Sequence, residues 1–375
     1  MINFVYDGIL WASEPLQSIV DWNMQGYKAG QLSGDIIYGL SNVLIATATD
    51  YVAGQNLDTV EKNIVEFVSN LQRHGVKLFV KIAMLLLSQI MVLKEGLHTS
   101  RTVHVENMPS EVEILADAGA LRVLVYGKVH HLARAFLFRQ IEDESSIHMD
   151  ISDAVAKEYH QLDPIILLGY FFEGLASFLL ARRSMLNRSC NNESSSSSVK
   201  IMVKQGLSVL NRMRCWSDNS CWNWEDKMLL LDAENLYTLG DYQQASSMYD
   251  SAIQSAHDHK FIHGEAIASE LAGIFYHERG MHCESYPYFV HSVRSYKEWG
   301  AHAIAERVET FLRDVVVINA ARAAAVATGG TVDIVGQERL VSSIRDSTIA
   351  PLAHLFATAS SSEDGKKKRR DTGGK

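Results

Sequence analysis

The histidine-rich stretch 257–263 is the first feature of the sequence that could do chemistry. His257, His259 and His263 follow one another at intervals of two and four residues, and imidazole nitrogens are common metal ligands. Asp258 and His282 could supply further ligands. The spacing of a zinc site is not present, so we prefer the alternative in which these are polar residues of a solvated link between helices.

Other reactive or bulky side chains admit two similar interpretations. His130 and His131 are adjacent, so on a helix they point about 100° apart and cannot easily face one ion. Glu173 lies in an apolar run and needs either a charged partner or an exposed position. Three tryptophans could form a ligand platform, but because tryptophan is mostly buried we expect two of them to pack a junction between halves of the chain. They are Trp216, Trp222 and Trp224.

No catalytic constellation emerges from these side chains. The sequence contains no G-x-x-x-x-G-K-[ST] phosphate loop and no protein-kinase motif set, and no nucleophile–base pair can be identified. Its four cysteines, at 190, 215, 221 and 283, have no C-x-x-C spacing, so neither a disulfide framework nor a zinc site is expected. We therefore expect a protein that is not an enzyme and that uses no cofactor.

Charge and composition narrow the class of protein further. The net charge of −9 over 375 residues argues against a nucleic-acid partner, because phosphate contacts require clustered lysine and arginine. The apolar runs 78–93 and 165–181 are shorter than the roughly 20 residues of a membrane-spanning helix, and the N-terminus has no secretory signal pattern. We expect no membrane partner and a cytoplasmic location, with nuclear targeting through the basic run Lys366–Arg370 as an alternative.

A repeat of 40 residues organises the C-terminal half. With Gly240 aligned to Gly280, small residues match small ones and large apolar residues match large ones. Small residues allow two helices to cross closely, and a glycine ends the first helix because it adopts the left-handed conformation at no steric cost. Each copy therefore predicts an antiparallel helical hairpin. The matched pairs are Ala233 with Gly273, Ala245 with Ser285, Tyr249 with Phe289, and Ala252 with Ser292.

Glycines repeat with a related rhythm in the N-terminal half, at 34, 54, 75 and 96. One helix per glycine predicts helices over 15–32, 35–53, 57–74 and 78–95. Further along, we predict a helix–turn–helix about Gly127 within 111–138, helices over 150–162, 163–183 and 199–214, a tryptophan-rich link at 215–226 and a final helix over 301–328. The predicted regions are a ragged N-terminus (1–14), an N-terminal repeat half (15–183), a disordered serine-rich insertion (184–198), a C-terminal half with a capping helix (199–328) and a mostly disordered tail (329–375).

The segment Leu239-Gly240-Asp241-Tyr242, followed by Ala245, Tyr249 and Ala252, resembles the tetratricopeptide (TPR) pattern, whose usual period is about 34 residues. The resemblance implies an all-α fold, a TPR-like α-solenoid of antiparallel helical hairpins. First helices would line a concave face that holds a protein or peptide partner, and there we place Asn235, Thr238 and His277. The residues that define the repeat are Ala233, Gly240, Tyr242, Ala245, Tyr249, Ala252, Gly273, Gly280, Phe289, Trp299 and Gly300.

The ending Tyr296-Lys297-Glu298-Trp299-Gly300-Ala301 and the stretch Gly26–Ile64 resemble the helical-repeat region of large multidomain signalling proteins. In those proteins a STAND-like predicted ATPase is joined to a TPR-like array, and GAF and histidine-kinase or nucleotide-cyclase domains follow. The catalytic motifs of that family are missing from this sequence. The resemblance therefore implies a non-catalytic protein-interaction scaffold in signal transduction; the alternative is a fragment or regulatory segment of a multidomain ATP-dependent signalling kinase or ATPase.

Overall fold

The computed structural model of the protein describes residues 11, 14–97, 114–115, 121–141, 164–187 and 195–313. Across these ranges every regular element is an α-helix and no strand is present, which confirms the all-α class. The helices are α1 Leu16–Ser33, α2 Ile36–Val52, α3 Leu57–Arg73, α4 Lys77–Glu95, α5 Leu121–Leu137, α6 Pro164–Asn187, α7 Ser195–Asn219, α8 Cys221–Leu239, α9 Tyr242–Asp258, α10 Ile262–Glu278, α11 His282–Trp299 and α12 302–313.

The turn glycines lie where the sequence rhythm predicts helix ends. Gly240 and Gly280 have φ of 83° and 75°, and the four N-terminal glycines at 34, 54, 75 and 96 have φ between 70° and 98°. Glycine populates this region readily because it has no Cβ. The hairpin α8–α9 and the hairpin α10–α11 consequently begin and end at nearly the same positions of the 40-residue repeat.

Small residues of the repeat lie where paired helices cross. Ala233, Ala245 and Ala252 are fully buried, as is Tyr249. A Cβ added to Gly273 would lie 2.9 Å from Cδ1 of Phe289, too close for a methyl group without a shift of the ring. The alternation of small and aromatic residues therefore determines how closely α10 and α11 approach.

Three local predictions are corrected. Gly127 is not a turn but lies inside the continuous helix α5, and a Cβ there would be 2.5 Å from Cδ2 of Leu115, so this glycine allows close packing. The predicted link 215–226 is helical except for Ser220, between α7 and α8. The predicted insertion is narrower than 184–198, because α6 continues to Asn187 and α7 begins at Ser195; serine is well suited to the start of a helix.

Several predicted segments lie outside the described residues. These are the loop 98–110, most of the acidic loop after Ile141, the helix 150–162, the centre of the insertion at 188–194, the part of the final helix after 313 and the tail 329–375.

The N-terminal helices contact the C-terminal hairpins. The amide of Leu16, at the start of α1, donates to Asn223 Oδ1 on α8 at 2.9 Å. Gln17 Nε2 donates to the carbonyl of His259 at 3.1 Å, and Asn56 Nδ2 donates to the carbonyl of Glu298 at 2.9 Å. The starts of α1 and α3 thus rest on the links and ends of the C-terminal hairpins.

Aromatic rings fill the same junction. Trp11 packs edge-on against Trp216 and Trp224, with ring centroids 6.1 and 5.7 Å apart. Two of the three C-terminal tryptophans therefore pack at the junction, as predicted. Trp11 itself is only 4% exposed, which corrects the expectation of a ragged N-terminus at this residue. On the other side of the junction Tyr51 lies 6.2 Å from Trp299.

Helix α6 is a long and apolar element of the fold. The segment Pro164–Leu186 is long and apolar enough to cross a membrane, and it is the one stretch of the described chain that meets this test. However, 89% of its most apolar window is buried inside the fold. It packs against α5, α7 and α8, which is the environment of a core helix.

Candidate functional site

The three residues expected to bind a partner are covered by the chain itself. Asn235, Thr238 and His277 lie on the first helices α8 and α10, but they are only 8%, 9% and 2% exposed. Thr238 Oγ1 accepts a hydrogen bond from Arg182 of α6 at 3.1 Å, and the His277 ring packs 5.2 Å from Phe311 of α12. The expectation that these positions face an open concave surface is therefore corrected, because all three are buried, with α6 packed against Thr238 and α12 against His277.

Glu234 of α8 is the centre of the first buried ion-pair cluster on this inner side. Its Oε2 lies 2.6 Å from Arg182 Nη2, and its Oε1 accepts from the Tyr249 hydroxyl at 2.5 Å. The Arg182 guanidinium also stacks 4.4 Å from the ring centre of Tyr237. Burial alone would lower the pKa of Arg182, but the Glu234 carboxylate outweighs it and raises that pKa. The cation is thereby held in its charged form.

Glu270 of α10 is the centre of the second cluster. Its Oε1 accepts from Nη2 of both Arg139 and Arg307 at 2.6 Å, and its Oε2 accepts from the Tyr296 hydroxyl at 2.9 Å. Burial alone would raise the pKa of Glu270, but Arg139 and Arg307 outweigh it and lower the pKa to about 2. This carboxylate joins the turn after α5 to α10, α11 and α12.

A third acidic group lies beside these clusters. Glu278, at the end of α10, accepts a hydrogen bond from the hydroxyl of Tyr237. Burial raises the pKa of Glu278, with Arg182 opposing the effect. Arg183 of α6 donates to the carbonyl of Ile141; burial and the nearby Arg139 lower the pKa of Arg183 to about 10. The inner side is therefore a strongly charged region held in a low-dielectric interior.

The outer side of the C-terminal hairpins carries partly exposed aromatic rings. Tyr276 and Tyr288 stack with their ring centres 5.2 Å apart and their planes 14° apart. The Tyr276 hydroxyl is 2.6 Å from Ser246 Oγ, and the Tyr288 hydroxyl donates to Asp250 at 2.6 Å. Two further tyrosines nearby in the sequence are about half exposed: Tyr242 at 43% and Tyr286 at 52%. Tyr286 and Tyr288 are two residues apart on α11, so their side chains point to different sides of this helix. We call the stacked pair Tyr276 and Tyr288 the outer tyrosine surface.

The histidines of the stretch 257–263 have separate environments. His257 is exposed and faces Glu265 at 3.3 Å, and His259 Nδ1 is 3.3 Å from Ser255 Oγ. His263 is buried against Trp299, and burial together with the charge of Lys227 lowers the pKa of His263 to about 3. In the described part of the chain, no three His, Cys, Asp or Glu side chains are grouped as a metal site.

The remaining sequence candidates are packed in the core or at its edge. Glu173 is 3% exposed and accepts from Gln205 Nε2 at 2.7 Å, so an amide is one partner of this carboxylate. His130 is buried between the rings of Tyr51 and Tyr126, whereas its neighbour His131 is exposed. The two histidines thus face different surroundings, as helix geometry predicts.

Sequence reasoning missed the arginines of the inner side. Arg182 and Arg183 follow the apolar part of α6 and lie in its last two turns, and Arg139 lies in the turn after α5 with a φ of 61°. Two consecutive arginines directly after a long apolar run were the available signal, since guanidiniums at the end of a buried helix require nearby acceptors.

Comparison with known proteins adds no relative, since no family model, no curated protein and no solved structure matches this chain.

Proposed function

We propose that this chain is a non-catalytic, TPR-like α-solenoid scaffold that binds a protein partner through the outer tyrosine surface, with a role in signal transduction in the cytoplasm. The observation that carries the proposal is the division of the C-terminal hairpins into two sides. Their inner side is occupied by α6 and α12 of the same chain, while their outer side carries the stacked and partly exposed pair Tyr276–Tyr288.

Tyrosine suits a binding surface for physical reasons. It presents a large contact area with little loss of conformational entropy, and it is enriched at protein–protein interfaces and their energetic hot spots. The stacked pair Tyr276–Tyr288 is already fixed by Ser246 and Asp250, so binding would order few additional side chains.

The test compares two pairs of surface residues by affinity capture followed by mass spectrometry. The Tyr276→Ala/Tyr288→Ala variant removes the outer tyrosine surface, and circular dichroism checks that its helices are intact. The Leu32→Ser/Ile37→Ser variant is the matched control, because those side chains are 91% and 61% exposed at the turn between α1 and α2. We expect a directly cross-linked partner to be lost only with the first variant. Retention of every partner by that variant would contradict the proposal.

A second proposal is that the chain is a regulatory segment of a larger ATP-dependent signalling protein. It is supported by the ending Trp299-Gly300-Ala301, where Trp299 is buried and Gly300 has a φ of 95°, as the end of a last hairpin requires. An ATPase or GAF domain encoded in frame beside this sequence would favour the second proposal over a free-standing scaffold. ATP or GTP hydrolysis by the purified chain would overturn the non-catalytic assignment.

A further inference from the structure

The imidazole ring of His263 lies in the junction between the N-terminal helices and the C-terminal hairpins. It belongs to the first turn of α10 and packs 5.3 Å from the ring of Trp299 and 5.9 Å from that of Phe261. Gly54, in the turn between α2 and α3, covers the same ring from the N-terminal side. A Cβ built on Gly54 would lie 2.4 Å from His263 Nδ1, so the α2–α3 turn rests directly on the imidazole.

Both ring nitrogens of His263 lack a hydrogen-bond partner. Nδ1 and Nε2 are fully buried, and within the described residues neither meets a protein donor or acceptor. Burying a neutral polar group without a hydrogen bond already costs free energy, and burying an unpaired charge costs far more. The closed junction therefore accepts His263 only in its neutral form.

The charged groups of α8 beside this ring do not favour a second cation. Lys227 Nζ lies 3.9 Å from the centre of the Phe261 ring, and its positive charge opposes protonation of His263. The adjacent carboxylate of Asp226 is bound by Lys227 itself, with Nζ and Oδ1 3.1 Å apart. The ion pair of α8 thus leaves the imidazole without a counter-ion.

The other titratable groups of the packed elements are engaged elsewhere, neutral or exposed. Glu265 of α10 faces two other imidazoles, and burial raises the pKa of Tyr51 of α2 to about 12. Asp50 of α2 is half-buried beside Asp21. The exposed groups are Asp58 at the start of α3, Asp258 and Lys260 before α10, and Lys297 and Glu298 at the end of α11.

We propose that protonation of His263 releases the α2–α3 turn from the C-terminal hairpins, so that this contact acts as a pH-sensitive switch. An imidazolium needs water or a counter-ion, and lifting the turn that covers Nδ1 admits water. The contacts that oppose release include the hydrogen bond from Asn56 Nδ2 to the carbonyl of Glu298 and the packing of Leu57 on Gly300. The switch concerns the closure of the fold and does not depend on the partner proposed for the outer tyrosine surface.

The release has a definite pH dependence. Burial and the charge of Lys227 lower the pKa of His263 to about 3 in the closed junction, whereas a solvated imidazole has a pKa of about 6.5. The open form therefore binds the proton more tightly, and the equilibrium constant for opening rises as the pH falls below 6.5. Between pH 7.5 and pH 5 His263 should increase this constant about thirtyfold. Asp50 acts in the opposite sense, because burial and Asp21 raise its pKa to about 6.

Labelling of a buried thiol in the full chain measures the opening. The probe is Leu57→Cys, in a chain whose four native cysteines are replaced by serine, because Leu57 is fully buried and lies against Gly300. At low reagent concentration, the labelling rate divided by that of a model peptide at the same pH gives the equilibrium constant for opening. A local opening exposes little surface, so low urea concentrations should barely accelerate labelling.

The variants His263→Phe and His263→Leu cannot take up the proton, and circular dichroism checks that their helices are intact. We expect the rise in opening between pH 7.5 and pH 5 to be about thirtyfold larger in the chain with His263 than in either variant. This comparison cancels the contribution of Asp50. His74→Gln, exposed at the end of α3, is the matched control and should keep the full response.

Two results would overturn the switch. One is a difference between His263 and both variants that stays below about threefold, since the ring would then not control the opening. The other is labelling at pH 5 that low urea accelerates as steeply as it accelerates global unfolding, since the turn would then not be released on its own.

Discussion

Replacing Glu270 by glutamine should destabilise the fold by about 3 to 5 kcal/mol, because it leaves two buried arginines without their carboxylate. The side chain of Glu270 is 2% exposed and those of Arg139 and Arg307 are 8% and 12% exposed, so solvent screens the pairs only weakly. The lowering of the Glu270 pKa from 4.5 to about 2 by the same two arginines corresponds to about 3 kcal/mol.

The same carboxylate gives the prediction a definite pH dependence. A group whose pKa is depressed in the folded state stabilises the protein above its unfolded pKa, and this contribution is lost as the pH falls through the folded value. The stability difference between wild type and Glu270→Gln should therefore be constant near neutral pH and shrink as the pH drops from 4.5 towards 2.

Urea unfolding monitored by circular dichroism measures both effects. Glu298→Gln is the control, because this carboxyl is exposed, and it should change stability by less than about 0.5 kcal/mol. The triple variant Glu270→Met/Arg139→Met/Arg307→Met should recover much of the loss, since an apolar replacement leaves no unpaired charge. A change below about 1 kcal/mol for Glu270→Gln, or a triple variant no more stable than it, would refute the electrostatic reasoning.

Three further predictions use other contacts. Asn223→Ala removes buried hydrogen bonds to the N-terminal segment and should lower the free energy of unfolding by about 2 to 4 kcal/mol. A loss below about 1 kcal/mol would contradict the prediction that these hydrogen bonds hold the N-terminal segment against α8. Gly30→Ala places a Cβ 2.7 Å from Cα of Gly39 and should lower the melting temperature. An unchanged or raised melting temperature would contradict this close approach of α1 and α2. Burial and Asp21 raise the pKa of Asp50 to about 6, so the charged form of this carboxyl destabilises the folded state as the pH rises from 4 to 6. Asp50→Asn should therefore stabilise the protein by an amount that grows between pH 4 and pH 6 and is constant above pH 6. Equal stabilisation at pH 4 and pH 7 would argue against this prediction.

The features that the sequence predicted well are determined locally. The glycines at 240 and 280 end helices because a positive φ is a property of the residue itself, and the hairpin repeat follows from them. Gly127 shows the limit of this reasoning, because the same residue type also serves where another side chain approaches closely. Without knowledge of Leu115 beside it, a glycine of the second kind looks like a turn.

The features that the sequence did not predict depend on distant partners. Arg139 and Glu270 are separated by 131 residues, and Leu16 and Asn223 by 207. No periodicity links such positions, because their contact depends on how the helices stack. The expected exposure of Thr238 and His277 was wrong for the same reason, since a hairpin considered alone does not show that α6 and α12 cover its first helix.

The N-terminal helices close onto the C-terminal hairpins, so that the inner side is filled by the chain itself. Electron–electron resonance between spin labels at Gln17→Cys and Lys260→Cys measures this directly, after the four native cysteines are replaced by serine. Because Gln17 bonds to the carbonyl of His259, the account predicts one short distance of roughly 20 Å. An open stack of helices spaced by about 10 Å would separate the labels by roughly 80 Å, and a distance distribution centred there would contradict the account.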